Sequence, residues 1–343
     1  MEHLNGRVYK SIPGFEYHLE RELGGTLKRE PGGKQEKNPE HTQNHNYTIW
    51  GDRLYYSETA NPVYWHQNCW LNPVKIEFNS INEAAAALRS LGRNWVPSFS
   101  TQTGRGKIIQ SKLPPLSIKK RAFPYLVPDT PMGSYTILDA NTIIASANCT
   151  SPFPDGVIEF EEDKINPPSR AYLKLYEALT LARKWPARGD RCLDAGASPG
   201  GWSWVLSKLG ARVIAVDRAP LELNIDKEIT VNNLQTVEPQ SMESQISGDG
   251  EIHYLKHDAF TLKPEDIGKI NWLFCDAAVY PARLYTWIKK WLESGLSENF
   301  VCTIKMQDSN PDPDTVKRFS EIPGSLLIHL YHNKHELCWI KTG

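Results

Sequence analysis

Four aspartates and a cluster of glycines are the residues of this sequence best placed to do chemistry. The stretch "RCLDAGASPGGWSW", residues 191–204, runs from apolar residues into Asp194. It then passes through Gly196, Ser198, Pro199, Gly200 and Gly201 to Trp202. Glycines this dense serve sharp turns or close backbone approach to a ligand. A strand feeding a helix through such a turn is the ligand corner of a doubly wound α/β sheet. Further carboxylates close the apolar runs that follow: Asp217 ends "RVIAVD", Asp258 stands in "YLKHDAF" and Asp276 closes "NWLFCD". A carboxylate at the end of the second strand suits a ribose diol, because its oxygens can accept two hydroxyl protons at once. Asp258, after a further strand, is placed for an adenine amino group. A lone acidic residue after a strand is ordinarily a helix N-cap. Four of them at successive strand ends, facing one crevice beside a glycine corner, point to a nucleoside. The glycine spacing does not match G-x-G-x-x-G, and no Gly-Lys-Ser/Thr follows it, so neither a dinucleotide nor a Walker A site is expected. With nothing to cradle a pyrophosphate, S-adenosyl-L-methionine fits better than NAD.

These residues need elements to hold them. After Pro167-Pro168 the pattern predicts a helix over 170–183, a strand over 191–195, a helix over 201–209 and strands over 212–217, 252–255 and 271–275. A helix over 282–293, a strand over 300–305 and a strand pair at 326–331 and 336–341 complete it. Such alternation reads as an α/β domain, with its ligand at the carboxyl ends of the strands. The half before it reads as α+β. It opens with a short strand, a Pro-Gly turn and an amphipathic helix bearing Phe15, Leu19 and Leu23. Strands follow around 47–57, 63–70 and 74–78, then an Ala/Leu helix at 81–91 and a hairpin over 134–149. Residues 26–46 are polar and read as a loop, and 97–134 are rich in Pro, Ser and Lys. The expected domains are 1–160 and 161–343.

The chain has 343 residues with a net charge of −1, 40% hydrophobic and 23% charged. That is the composition of an ordinary globular protein and leaves a nucleic-acid partner to a local basic face. No apolar run approaches a membrane span, and no signal-peptide core opens the chain, so no membrane partner is expected. The six cysteines lack CxxC spacing and several lie in apolar runs. They read as reduced and buried in a cytoplasmic protein, and no metal site is expected.

"LDAGASPGGWSWVL" resembles the cofactor motif of the FtsJ/RrmJ-type ribose 2′-O-methyltransferases. "SRAYLKLYEA" (169–178) resembles the helix that carries the family's first catalytic lysine. The likeness continues through "VIAVDRAPL", "YLKHDAFTLKP", "WLFCDAAVYPARL", "TIKM" and "HLYHNKHEL". "PGFEYHLEREL" and the "SPF" at 151–153 look like the THUMP-containing first half of some members. The resemblance implies a C-terminal Rossmann-like S-adenosylmethionine-dependent methyltransferase domain behind an N-terminal α+β THUMP-like RNA-binding domain. It implies RNA as substrate, namely large-subunit rRNA or its precursor. The family's tetrad carries over to Lys174, Asp276, Lys305 and Glu336. In that scheme Lys305 is the general base for the 2′-hydroxyl, its pKa lowered by desolvation and a neighbouring lysine. Lys174 stabilises the developing alkoxide, and Asp276 and Glu336 orient the two ammonium groups. Two other functions share the cofactor corner: a small-molecule methyltransferase, and a non-catalytic RNA-binding or ribosome-assembly protein. "SIKKRAFPYL" (117–126) sets Lys119, Lys120 and Arg121 beside Phe123 and Tyr125, residue types that bind phosphates and stack on bases. Trp65, Trp70 and Trp95 are expected in the core of the first domain.

Overall fold

The computed structural model describes residues 1–24, 46–99, 101–231, 250–306 and 312–343. The polar stretch 26–46 therefore lies almost wholly outside the described residues. The chain divides into two compact units. The first comprises Met1–Arg121 and Val127–Glu159, and the second Ala122–Leu126 and Phe160–Gly343.

In the first unit, strands β1 (Glu2–His3) and β2 (Arg7–Lys10) precede helix α1 (Glu16–Glu22). Strands β3 (Tyr47–Trp50), β4 (Leu54–Ser57), β5 (Asn68–Leu71) and β6 (Val74–Glu77) follow. Next come α2 (Ile81–Leu91), β7 (Trp95–Pro97), α3 (Thr103–Gln110), β8 (Gly133–Ile137), β9 (Thr142–Ser146) and β10 (Asn148–Cys149). They form two five-stranded sheets, ordered β1-β6-β9-β8-β7 and β10-β5-β2-β4-β3. Helix α2 begins where Ser80 accepts the Glu83 N–H, and it buries Ala84, Ala85 and Leu88. Trp65, Trp70 and Trp95 lie in the interior as expected, none more than 2% exposed.

The second unit holds α4 (Tyr172–Ala182), β11 (Arg191–Ala195), α5 (Gly201–Lys208), β12 (Arg212–Asp217), β13 (Lys227–Glu228) and β14 (Glu251–Lys256). It continues with α6 (Pro264–Ile267), β15 (Trp272–Cys275), α7 (Pro281–Ser294), β16 (Asn299–Lys305), α8 (Pro313–Ser320), β17 (Ser325–Ile328) and β18 (Glu336–Lys341). Among the described residues these strands make one eight-stranded sheet, ordered β13-β14-β12-β11-β15-β16-β18-β17. Strands β11 to β16 pair in parallel, and β18 runs antiparallel between β16 and β17. Cys192, Leu193 and Val213 to Val216 are 0% exposed, as parallel strands covered on both faces require. Chain order runs outward in opposite directions from β11 and β15, so their carboxyl ends flank the switch point where open α/β sheets bind ligands. Among the described residues no helix is long and apolar enough to cross a membrane. No group of His, Cys, Asp or Glu among them could hold a metal ion. Five of the six cysteines are buried, and all are free.

Candidate active site

A cavity of about 390 Å³ opens where the strand ends predict it. Gly196 and Ser198 line it beyond β11, Asp217 and Arg218 at β12, and His257, Asp258 and Phe260 beyond β14. Asp276 to Val279 line it beyond β15, Arg283 reaches it from α7, and Lys305 ends β16 at its wall. A volume near 400 Å³ accommodates a nucleoside-sized ligand. Gly196 has φ +79°, and a Cβ there would sit 2.5 Å from the Ala277 Cβ and 2.7 Å from its Cα. The loops after β11 and β15 therefore approach as closely as backbone can. Gly200, with φ +118°, starts helix α5.

The carboxylate of Asp217 organises the corner. Oδ2 accepts the Ser198 N–H at 3.0 Å and Oδ1 the Ala219 N–H at 2.9 Å. Each oxygen keeps a second lone pair, so the group can still receive a ribose diol. Asp258 is an N-cap as well as a cavity residue: Oδ1 accepts the Phe260 N–H and Oδ2 pairs with Arg283, both at 3.0 Å. Burial alone would raise its pKa; the Phe260 N–H and the Arg283 guanidinium outweigh it and hold the carboxyl below the usual range. These residues fit an adenosyl nucleoside, with a glycine cradle and carboxylates at the positions for ribose and base.

Asp194 departs from the expected cluster. It is 1% exposed and turned toward α5, where Ser203 Oγ donates to its Oδ2 at 2.6 Å. Among the described residues its Oδ1 has no hydrogen-bond partner, and burial pushes its pKa up to about 7. Three of the four aspartates line the cavity, and the fourth braces the helix beside it. Pro199, Gly201 and Trp202 likewise build the corner without lining the cavity. The Trp202 indole donates to the Ala171 carbonyl at 3.0 Å, and a Cβ on Gly201 would lie 2.8 Å from Ser169 Oγ.

Lys174, Asp276, Lys305 and Glu336, drawn from α4, β15, β16 and β18, come together. Lys174 Nζ donates to Asp276 Oδ2 at 2.7 Å and to Glu336 Oε1 at 3.0 Å. Lys305 Nζ donates to the Asp276 carbonyl at 2.6 Å and lies 3.2 Å from its Oδ1. The antiparallel register pairs Lys305 directly with Glu336. Asp276 thus bridges both ammonium groups, whereas Glu336 reaches Lys174. Burial pulls the Lys174 pKa down, but the two carboxylates outweigh it and hold the group above its ordinary value, so it stays an ammonium. Lys305 touches a carboxylate and a carbonyl, where a neighbouring lysine was expected. Thr303 escaped the sequence reading. Its Oγ1 donates to Asp276 Oδ1 at 2.7 Å, and its place two residues before Lys305 on one strand face was the available signal.

A doubly wound sheet with a nucleoside cavity at its switch point, and a lysine–carboxylate cluster on the wall, is the layout of a nucleoside-cofactor transferase. Residues 167–308 match the model of the FtsJ-like methyltransferase family. It is 30% identical over 162 residues to the Ribosomal RNA large subunit methyltransferase M of Azoarcus sp., covering 46% of this chain and 38% of that one. To the protein of the same name from Cellvibrio japonicus it is 27% identical over 210 residues, covering 57% and 53%. The chain thus spans about half, or less, of the length of these curated relatives. Among solved structures, a magnesium protoporphyrin IX methyltransferase from Synechocystis with bound SAM aligns with a TM-score of 0.29 at 15% identity. That alignment covers 45% of this chain and 71% of that one.

Proposed function

We propose that this protein is an RNA ribose 2′-O-methyltransferase that uses S-adenosyl-L-methionine and acts on large-subunit rRNA or its precursor. The observation that carries the reading is the joining of Lys174, Asp276, Lys305 and Glu336 through Asp276, with Lys305 on the cavity wall. The relatives named as large-subunit rRNA methyltransferases support the substrate class. When bound, the cofactor supplies an electrophilic sulfonium methyl. Asp217 would hold its ribose, and Gly196 would leave room for it against the backbone. Lys305 takes the proton of the 2′-hydroxyl on the Nζ lone pair, while the Asp276 carbonyl and carboxylate accept its other N–H bonds and stabilise the ammonium that forms. Lys174 stays charged behind Asp276 and fixes the carboxylates that orient the site. Positioning of the hydroxyl by the site would supply much of the remaining rate.

The first unit serves as the RNA-binding, THUMP-like domain in this reading. Lys119 and Lys120 are exposed there, Lys120 within 3.9 Å of the Glu159 carboxylate. Phe123, expected to stack on bases, instead stacks on Tyr176 at 4.0 Å within the second unit.

Lys305→Ala is expected to bind cofactor normally and lose roughly 10²–10⁴ in single-turnover methylation. Lys305→Arg should be nearly as slow, because a guanidinium stays protonated at working pH and accepts no proton. Near wild-type rates for the Arg variant would remove Lys305 as the base. Mapping ribose methylation in total RNA with and without the gene tests the activity itself, and an unchanged map would leave a small-molecule or non-catalytic role.

A further inference from the structure

Helix α4 carries a second buried ionisable group that the mechanism leaves unused. Glu177 lies three residues after Lys174, on the same helix face one turn on, and is 2% exposed. Its Oε1 accepts the Tyr331 N–H at 2.8 Å and its Oε2 the His332 N–H at 3.0 Å. Among the described residues no cation pairs with it, and burial pushes its pKa up to about 8. Holding an acid there without a counter-ion is costly, which argues for a function in its contacts.

Those contacts fall on the turn between β17 and β18, whose far end is Glu336. The turn is also tied internally, by His329 Nε2 against the Lys334 carbonyl at 2.9 Å and by Asn333 Nδ2 donating to the Glu336 carbonyl at 3.0 Å. One helix face therefore grips one hairpin twice: Lys174 through the Glu336 side chain, and Glu177 through the backbone of the turn leading to it. The residue type matters. A carboxyl group turns an oxygen to each N–H, whereas a glutamine would turn an NH₂ toward one of them.

We propose that Glu177 is a positioning residue that locks this turn onto helix α4, so that Glu336 meets Lys174, and affects methyl transfer through that pair. The inference rests on the proposed function, in which Glu336 belongs to the catalytic cluster.

A double-mutant cycle tests it, with single-turnover RNA methylation, cofactor affinity by calorimetry and amide exchange at Tyr331 and His332 as readouts. Glu177→Gln should slow methyl transfer about tenfold or more, the loss of one buried hydrogen bond. Cofactor affinity should be unchanged and the two amides should exchange faster. In a Glu336→Gln background the same substitution should cost less than about twofold, because the pair it acts through is already broken. Independent, multiplying losses, or full activity in Glu177→Gln, overturn the inference while leaving the role of Glu336 intact. Full activity in Glu336→Gln overturns the role of Glu336 and this inference with it. Should Glu177→Gln lose cooperative unfolding, Glu177→Asp, which keeps both acceptor oxygens, takes its place in the cycle under the same criteria.

Discussion

In the proposed function Asp217 serves structure and ligand together. It anchors Ser198 on the corner loop and Ala219 on the loop after its own strand, and it faces the cavity with the lone pairs that remain. Asp217→Ala is therefore expected to weaken S-adenosylmethionine binding by about 1.5–3 kcal/mol for each charge-assisted bond lost to the ribose. Calorimetry returning wild-type affinity would remove the ribose assignment. At this scale the sequence was informative wherever a residue ended a strand. Asp217, Asp276 and Lys305 follow apolar runs whose length fixes where the chain leaves the sheet, and all three reach the cavity. It was less informative about which way a side chain turns. Asp194 falls in the same motif, yet its side chain lies under α5 against Ser203. Glu177 was invisible, because a glutamate inside a helical pattern ordinarily faces water.

The elements explain why the corner tolerates so little change. Strands β11 and β15 pair side by side, Ala195 opposite Cys275, so the loops leaving them are held one strand spacing apart. Gly196 fills the gap at a left-handed backbone angle with Ala277 directly opposite. Gly196→Ala must both strain that angle, by roughly 1–2 kcal/mol, and push the two loops apart. Cofactor affinity should fall at least about tenfold and the melting temperature should drop with it. An alanine variant with wild-type affinity would show that the close approach is dispensable. Element type was legible through most of the second unit because apolar runs of strand or helix length alternate there between Gly and Pro breaks, while the short β13 and α6 and the polar α8 went unread. Helix α3 was not. "TGRGKIIQ" holds two glycines and little apolar periodicity, and the segment forms a helix by burying Ile109 and laying Gly106 under the Phe99 ring. Tertiary packing overrides propensity in such a segment.

Across the whole molecule, the chain leaves the first unit at residue 122, contributes residues 122–126 to the second, and returns. Composition cannot reveal such a crossing, because it depends on Phe123 meeting Tyr176 and Phe160, far along the sequence. Both units also bury acids without counter-ions among the described residues, and this bears on how the protein responds to pH. Burial pushes Glu22 in the first unit up to about 7, and Asp194 and Glu177 in the second up to about 7 and about 8. A carboxyl whose folded pKa is raised binds more protons folded than unfolded, so its contribution is complete at acid pH and is lost as pH rises through the folded value. His329 acts the other way. Burial lowers it to about 4, so between pH 4 and its ordinary value the unfolded chain takes up the proton and stability grows with pH. Each of these acids contributes up to ~1.4 kcal/mol per pH unit inside its window. Asp194→Asn removes one of these groups while keeping an oxygen for the Ser203 hydroxyl, and its amide does not titrate. Urea unfolding followed at pH 5, 6, 7 and 8 should show the variant gaining on the wild type up to about pH 7, with the difference then levelling off. Parallel curves across that range would mean that Asp194 is already ionised in the folded protein, compensated by a partner other than Ser203.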